Sequence, residues 1–264
     1  MTKLLTEQRT GLSLSVKDLR LHFGGIKAVD GVTFEVPGGT VCGLIGPNGA
    51  GKTSVFNIIS RVYPADSGTV LVDDTNLLDM AIYEIARHGV ARTFQNIALF
   101  EGMSVLDNVI IGMPSEHPVA WWPSMVGLRG SADMRRKSQL AEEILDELDI
   151  AHLANHAATG LPIGTLKRVE LARALASHPR LLLLDEPANG LTHSEVMELG
   201  ALLEGIRTRR GLTIVLVEHH MGLVMDMSEH VVVLERGRKI AEGTPSQVTA
   251  EPAVIEAYLG RRDA

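Results

Sequence analysis

Short apolar runs rich in β-branched residues recur at residues 14–16, 32–36, 41–45, 69–72, 181–184, 213–217 and 231–234, the composition of strands. Between them the apolar spacing changes to a period near 3.6, which predicts helices over residues 52–60, 168–176, 194–207 and 220–227. Strands alternating with helices imply an α/β fold, a mostly parallel sheet flanked by helices. Residues 181–184 and 213–217 are apolar almost throughout, so they are expected inside the sheet, covered on both faces. The middle of the chain reads differently. Residues 113–130 carry Pro114, Pro118, Pro123, Gly127, Gly130 and both tryptophans, and a helical segment follows with Leu140, Ile144, Leu145 and Leu148 on one face. Residues 97–160 therefore read as a mainly helical insertion, with Trp121 and Trp122 in its core or, alternatively, in contact with a partner. Beyond Arg238 come short strand and turn material and a last helix near residues 252–259. The expected organisation is one domain over residues 12–260, a helical subdomain at about 97–160, and a loose tail at 1–11.

Composition narrows the function. With 45% hydrophobic residues over 264 positions, the chain can bury a large core, and disorder is not expected. A formal charge of −7 gives no global basic field, so nucleic acid is not an expected partner. The single cysteine, Cys42, lies in an apolar run and reads as a small buried hydrophobe; no disulfide can form within the chain, which suits the cytoplasm. No window reaches the roughly 18–20 apolar residues that cross a bilayer, so a membrane role is expected to run through a partner protein. Residues 1–10 hold too short an apolar stretch for a signal peptide.

The chemistry concentrates at a few points. Gly46-Pro47-Asn48-Gly49-Ala50-Gly51-Lys52-Thr53 follows a predicted strand and opens a predicted helix, the context a phosphate-binding P-loop requires. Glycines let successive N–H groups converge on phosphate oxygens, and the helix aims its positive end at the same anion. Lys52 would reach the β and γ phosphates, Thr53 would offer its hydroxyl to Mg²⁺, and Ser54 would add a phosphate contact. Leu181-Leu182-Leu183-Leu184-Asp185-Glu186-Pro187 is an apolar strand ending in two carboxylates. Burying a carboxylate is costly without a cation or hydrogen bonds, and Mg²⁺ supplies a reason for acids at that point. Asp185 would bind the metal through water, and Glu186 would act as general base toward the attacking water.

These motifs, in this order, resemble the ATP-binding-cassette family from about Leu14 to Leu259. The resemblance implies a P-loop NTPase core with an antiparallel β subdomain and a helical insertion, ATP and Mg²⁺ as ligands, and ATP hydrolysis. It assigns Gln95, in Thr93-Phe94-Gln95, to the glutamine that helps hold Mg²⁺ and water and links to a membrane partner. Phe23, before Gly24-Gly25, resembles the aromatic that stacks on adenine, although a phenylalanine there also fits a core position. His219, after the strand ending at Val217, matches the switch histidine at the γ phosphate, with His220 the competing candidate. The family's Leu-Ser-Gly-Gly-Gln signature reads Leu161-Pro162-Ile163-Gly164-Thr165. Pro162 lacks both the hydroxyl and the N–H, while Gly164 and Thr165 still open a helix that favours an anion, Thr165 as its cap. Thr192, after Gly190-Leu191, departs from the usual acidic or amide residue of that loop.

Within the family, the chain is most similar to the larger ATPase subunit of branched-chain amino-acid importers. Phe23-Gly24-Gly25, Arg92-Thr93-Phe94-Gln95-Asn96, Met103-Ser104-Val105-Leu106-Asp107-Asn108-Val109, Leu183 to Leu191 and Val217-Glu218-His219 carry that similarity, and Glu242-Gly243-Thr244-Pro245 with Tyr258-Leu259-Gly260 agrees. It implies a second ATPase subunit, identical or different, transmembrane permease subunits, and indirectly a solute-binding protein. It also implies a peripheral location on the cytoplasmic face of the inner membrane. Related importers carry other amino acids, amides or urea. A P-loop GTPase is a poorer fit, because no Asn-Lys-x-Asp guanine reader is present. A DNA-repair or translation-control cassette would usually carry two cassettes or a long coiled coil.

Overall fold

The computed structural model describes residues 11–95, 97–114 and 128–259; residues 1–10 of the expected tail, Asn96, Trp121, Trp122 and Gly260 lie outside the described residues. Its contacts form two compact units, one from the described residues within 1–92 and 180–264, the other from Thr93–Pro179.

The first unit holds two sheets. One is antiparallel, in the order β2-β1-β4-β5, from β1 (Leu14–Phe23), β2 (Ile26–Val36), β4 (Ser67–Val72) and β5 (Thr75–Asn76). Its apolar positions alternate: Leu14, Val16, Leu19 and Leu21 are buried while Asp18 and His22 are exposed, the pattern of a strand with one face on a core. The other sheet has the order β10-β9-β3-β8-β7-β6. Its strands β3 (Val41–Ile45), β6 (Val90–Arg92), β7 (Leu181–Asp185), β8 (Thr213–Val217) and β9 (His230–Glu235) pair in parallel, and β10 (Arg238–Gly243) adds an antiparallel edge. Every residue of β3, β7 and β8 is buried, so these continuous apolar runs sit in the interior of the sheet as their composition requires. Helices α1 (Lys52–Ile59) and α2 (Ile82–Ile85) precede β6. After β7 come α6 (His193–Arg210), α7 (Met221–Met227), α8 (Pro245–Ala250) and α9 (Pro252–Leu259).

The second unit is built on α3 (Val105–Ile111), α4 (Leu128–Glu147) and α5 (Ile163–Leu175), which pack on one another. Val105, Val109, Ala141, Ile144, Leu145, Leu148, Val169, Ala172 and Leu175 are its buried core. Leu140 is only half-buried, and Ala141 takes the inward position one residue on. The helix expected at 168–176 starts earlier, at Ile163, with Pro162 at its N-cap. Proline fixes φ near −60° and has no N–H to satisfy, so the helix begins immediately after it. Among the described residues no helix is long and apolar enough to cross a membrane.

Candidate active site

The strand β3 delivers Gly46 to the start of the loop, and α1 leaves it at Lys52. Gly46 has φ 148°, and a Cβ there would lie 2.1 Å from the Leu234 carbonyl oxygen; Gly51 has φ 102°, and its Cβ would lie 2.4 Å from the Ala28 carbonyl oxygen. No residue with a side chain fits either place. The loop is backed by the β9–β10 turn, where Gly237 N–H donates to Ala50 O at 2.9 Å and Asp30 N–H donates to Gly237 O at 2.7 Å. The C-terminal helix contributes as well: burial raises the Tyr258 phenol pKa, and the neighbouring Gly46 backbone opposes that rise. Pro47 is half-buried, while Asn48 and Gly49 face solvent.

Lys52 is buried, and its ammonium donates to the carbonyls of Gly46 at 2.7 Å and Pro47 at 3.1 Å. Burial pushes its pKa down, against the charges of Glu186 and Asp185. Thr53 is exposed at the helix start and Ser54 is half-buried. Asp185 ends β7 with its side chain 1% exposed, in an ion pair with Arg92 at 2.7 Å. Burial raises its carboxyl pKa, and the Arg92 hydrogen bond and charge oppose that rise. The sequence gives Mg²⁺ as the reason for a buried acid here; the fold already supplies a cation in Arg92, on a strand too short to be legible from composition.

Glu186 follows with φ +50°, a conformation that side chains adopt rarely and at a cost. Its N–H donates to Val217 O at 2.8 Å, and its carboxylate Oε1 lies 3.0 Å from His219 Nε2. His219 and Glu186 thus come together from the ends of β8 and β7. His220, the competing histidine, is the N-cap of α7. The buried Glu218 joins the two loops: it accepts from Ala188 N–H at 2.6 Å, His219 N–H at 2.9 Å and His220 N–H at 3.2 Å. Phe23, at the end of β1, is 47% exposed, so it is not a core residue. Its ring meets Tyr63 edge-on, with centroids 5.4 Å apart at 77°.

The remaining sequence candidates belong to the second unit. Gln95 is exposed, and the neighbouring Phe94 N–H donates to the buried Glu170 at 3.0 Å. Gly164 and Thr165 lie inside the first turn of α5, which corrects the expectation that Thr165 caps it: Pro162 holds the cap position and no side chain caps the helix. In the first unit Thr192 is the N-cap of α6, accepting from Glu195 N–H while the Glu195 carboxylate accepts from Thr192 N–H at 2.8 Å. The Thr-x-x-Glu spacing of residues 192–195 is the signal that announces this reciprocal cap.

Among the described residues no group of three or more His, Cys, Asp or Glu could hold a metal ion by itself. A divalent cation here would need phosphate oxygens as well, the usual condition of Mg²⁺, with Thr53 and Asp185 as hard oxygen donors that fit it.

A P-loop between a buried strand and a helix, with two acids at the end of a second parallel strand, is a nucleotide-hydrolysing constellation, and comparison with known proteins says which. A sequence-family profile described as ABC transporter matches residues 29–189, more than half of the chain. The chain belongs to the ABC transporter family. The cassette binds ATP or ADP and is an ATPase, as its family is. A second profile, described as branched-chain amino acid ATP-binding cassette transporter, matches residues 238–264. The cassette is 39% identical to the high-affinity branched-chain amino acid transport ATP-binding protein BraF of Pseudomonas aeruginosa, over 94% of this chain and 97% of that one. It is 38% identical to the corresponding LivG of Escherichia coli, with the same coverage. A nucleotide-free ATP-binding cassette of an ABC transporter superposes with a TM-score of 0.83 at 29% identity, covering 95% of this chain and 100% of that chain. The ADP conformation of another cassette superposes with a TM-score of 0.81 at 30% identity, covering 95% and 99%.

Proposed function

We propose that this cassette is the ATP-hydrolysing subunit of an importer of branched-chain or related amino acids, acting at the cytoplasmic face of the inner membrane. The match of residues 238–264 to the branched-chain profile carries this reading, because the profile lies outside the part of the chain common to cassettes in general.

Lys52 and the N–H groups of residues 48–54 would hold the nucleotide phosphates, and the exposed Phe23 ring would stack on adenine. Mg²⁺, held by the phosphates with Thr53 and Asp185, would neutralise charge on them. Glu186 would take the proton of the attacking water, and His219, 3.0 Å from its carboxylate, would orient that group. The same reading has two ATPase subunits close on the nucleotides, the α5 N-terminus with Gly164 and Thr165 facing the partner's ATP. The exposed Phe94, Phe100 and Ile111 of the second unit would face transmembrane permease subunits. Asn108 holds this surface in shape, donating to the carbonyls of Phe100 and Ser104 and accepting from Phe100 N–H at 2.8 Å.

The test is ATP turnover by the full chain, alone and co-purified with its native membrane subunits, together with uptake of labelled leucine in vesicles. Turnover stimulated by the membrane subunits, with leucine uptake lost in Glu186→Gln while ATP stays bound, is the expected result. Turnover indifferent to any membrane partner would overturn the transport reading, and full turnover by Glu186→Gln would remove that residue as the base.

A further inference from the structure

Arg92 has no assigned contact with the nucleotide, yet its guanidinium connects the helix after the P-loop to the acidic end of β7. One nitrogen, Nη2, donates to Asp185 Oδ2 at 2.7 Å at the end of β7. The other, Nη1, donates to Asn57 Oδ1 at 2.7 Å on α1 and to Ser60 Oγ at 2.8 Å at the C-cap of that helix. The guanidinium carbon also stands 5.5 Å from the centre of the Phe56 ring on that helix. The Arg92 side chain is 6% exposed, so these bonds form away from bulk water, where geometry is enforced more strongly.

The consequence lies one turn back along α1. Thr53 and Asn57 are four residues apart on one face of α1, so anchoring Asn57 anchors the stretch of helix backbone that carries Thr53. Arg92 therefore ties the two oxygen donors suited to a divalent cation, Thr53 and Asp185, into one rigid piece. The phosphate-facing groups are held by other means: Lys52 by the Gly46 and Pro47 carbonyls, and the loop backbone by Gly237, whose N–H donates to Ala50 O, with Leu234 and Ala28 packed close behind Gly46 and Gly51. The support of the metal-facing side is thus separate from the support of the phosphate-facing side. A planar fork with two donating edges is needed for such a span, and a lysine ammonium retains the charge without the fork.

We propose that Arg92 is a positioning residue that sets the affinity of the site for the divalent cation accompanying the nucleotide, and leaves binding of the nucleotide itself to other residues. This rests on the reading of Thr53 and Asp185 as the metal-facing pair. Residues that orient metal ligands typically change metal affinity by about 10- to 100-fold when lost.

The experiment uses the full-length chain, ADP as a nucleotide that is not turned over, and Mn²⁺ as a paramagnetic substitute for Mg²⁺. ADP affinity is measured in EDTA and in Mn²⁺, and bound Mn²⁺ is followed by electron paramagnetic resonance. Arg92→Lys is expected to keep ADP affinity in EDTA within about twofold and to lose about tenfold of the Mn²⁺ enhancement. Asn57→Ala removes an anchor on the helix while leaving both charges in place, and it should lose Mn²⁺ enhancement in the same direction to a smaller degree. It decides the matter if circular dichroism shows Arg92→Lys unfolded: an unchanged Mn²⁺ enhancement in Asn57→Ala then overturns the proposal. In folded Arg92→Lys, an intact Mn²⁺ enhancement, or an equal fall in EDTA and in Mn²⁺, also overturns it. Asp185→Asn separates the two readings. If it leaves the Mn²⁺ enhancement intact, the metal-facing assignment itself fails; if it abolishes the enhancement while Arg92→Lys does not, only the role of Arg92 fails.

Discussion

The Glu218 carboxylate accepts the main-chain N–H of Ala188 at 2.6 Å, joining the segment after Glu186 to the segment that carries His219. Because the same carboxylate also accepts from His219 and His220 N–H, one buried side chain sets the spacing of both loops. Glu218→Ala would strand buried N–H groups and is expected to cost about 3 kcal/mol of stability. ATP turnover should fall with it, as the 3.0 Å approach of His219 to Glu186 loosens. Urea unfolding and steady-state turnover check the pair of effects. A stable variant with normal turnover would show that the two loops hold their places without Glu218.

Phe23 is exposed and braced edge-on by Tyr63. Stacking of a base on an aromatic ring is worth about 1–3 kcal/mol, so Phe23→Ala should weaken ATP binding by roughly 5- to 150-fold and Phe23→Trp should restore it. Equilibrium binding of a fluorescent ATP analogue gives the answer. Tyr63→Ala should produce a smaller loss, since it frees the ring without removing it.

Pro162 occupies the N-cap of α5, where a serine would hydrogen-bond a free helix N–H. The cap gained is worth about 1 kcal/mol. The freedom restored to the unfolded chain takes back about 0.4–1 kcal/mol. Pro162→Ser should therefore leave the melting temperature nearly unchanged. The ATPase rate of the assembled transporter should stay level or rise; a large loss would give the proline a fitted role of its own.

Asp30, its side chain 4% exposed, accepts from Arg238 at 2.7 and 2.9 Å and from Arg20 at 2.9 Å. The Arg238 hydrogen bonds hold its carboxyl below the usual 3.8, outweighing burial. A depressed folded-state pKa gives stability that is present above the unfolded value and lost as pH falls through the folded one. The advantage of the wild-type chain over Asp30→Asn should be constant above about pH 5 and shrink below about pH 4. Urea midpoints from pH 3 to 7 measure it, and an advantage that grows on acidification would contradict the assignment.

Much of this was legible because it is local. The P-loop is eight consecutive residues between a strand and a helix, and β3, β7 and β8 are unbroken apolar runs, so motif and period identify them directly. What escaped is what depends on distance along the chain. Arg92 meets Asp185 across 93 positions and Glu218 meets Ala188 across 30, and no spacing rule joins residues so far apart. The strand β6 has three residues, too few to show a period. The start of α5 was misplaced because the 3.6-residue pattern strengthens only after Arg168, while Pro162 sets the boundary through its backbone. The cap role of Thr192 is legible in the Thr-x-x-Glu spacing, since its partner Glu195 is three residues away.

The order in which the strands occur has one more consequence. β3 carries the nucleotide loop early in the chain, but its neighbours in the sheet are β8 and β9, and the turn that backs the loop is at Gly237. During synthesis the motif is complete long before the two strands that flank β3 in the sheet exist. A polypeptide interrupted before Val231 would contain every residue of the P-loop and both acids, yet lack one whole side of the sheet around β3. Such long-range pairing is slow to form. A ligand stabilises only the state that binds it, so stabilisation by ATP is expected only once β8, β9 and the Gly237 turn are in place.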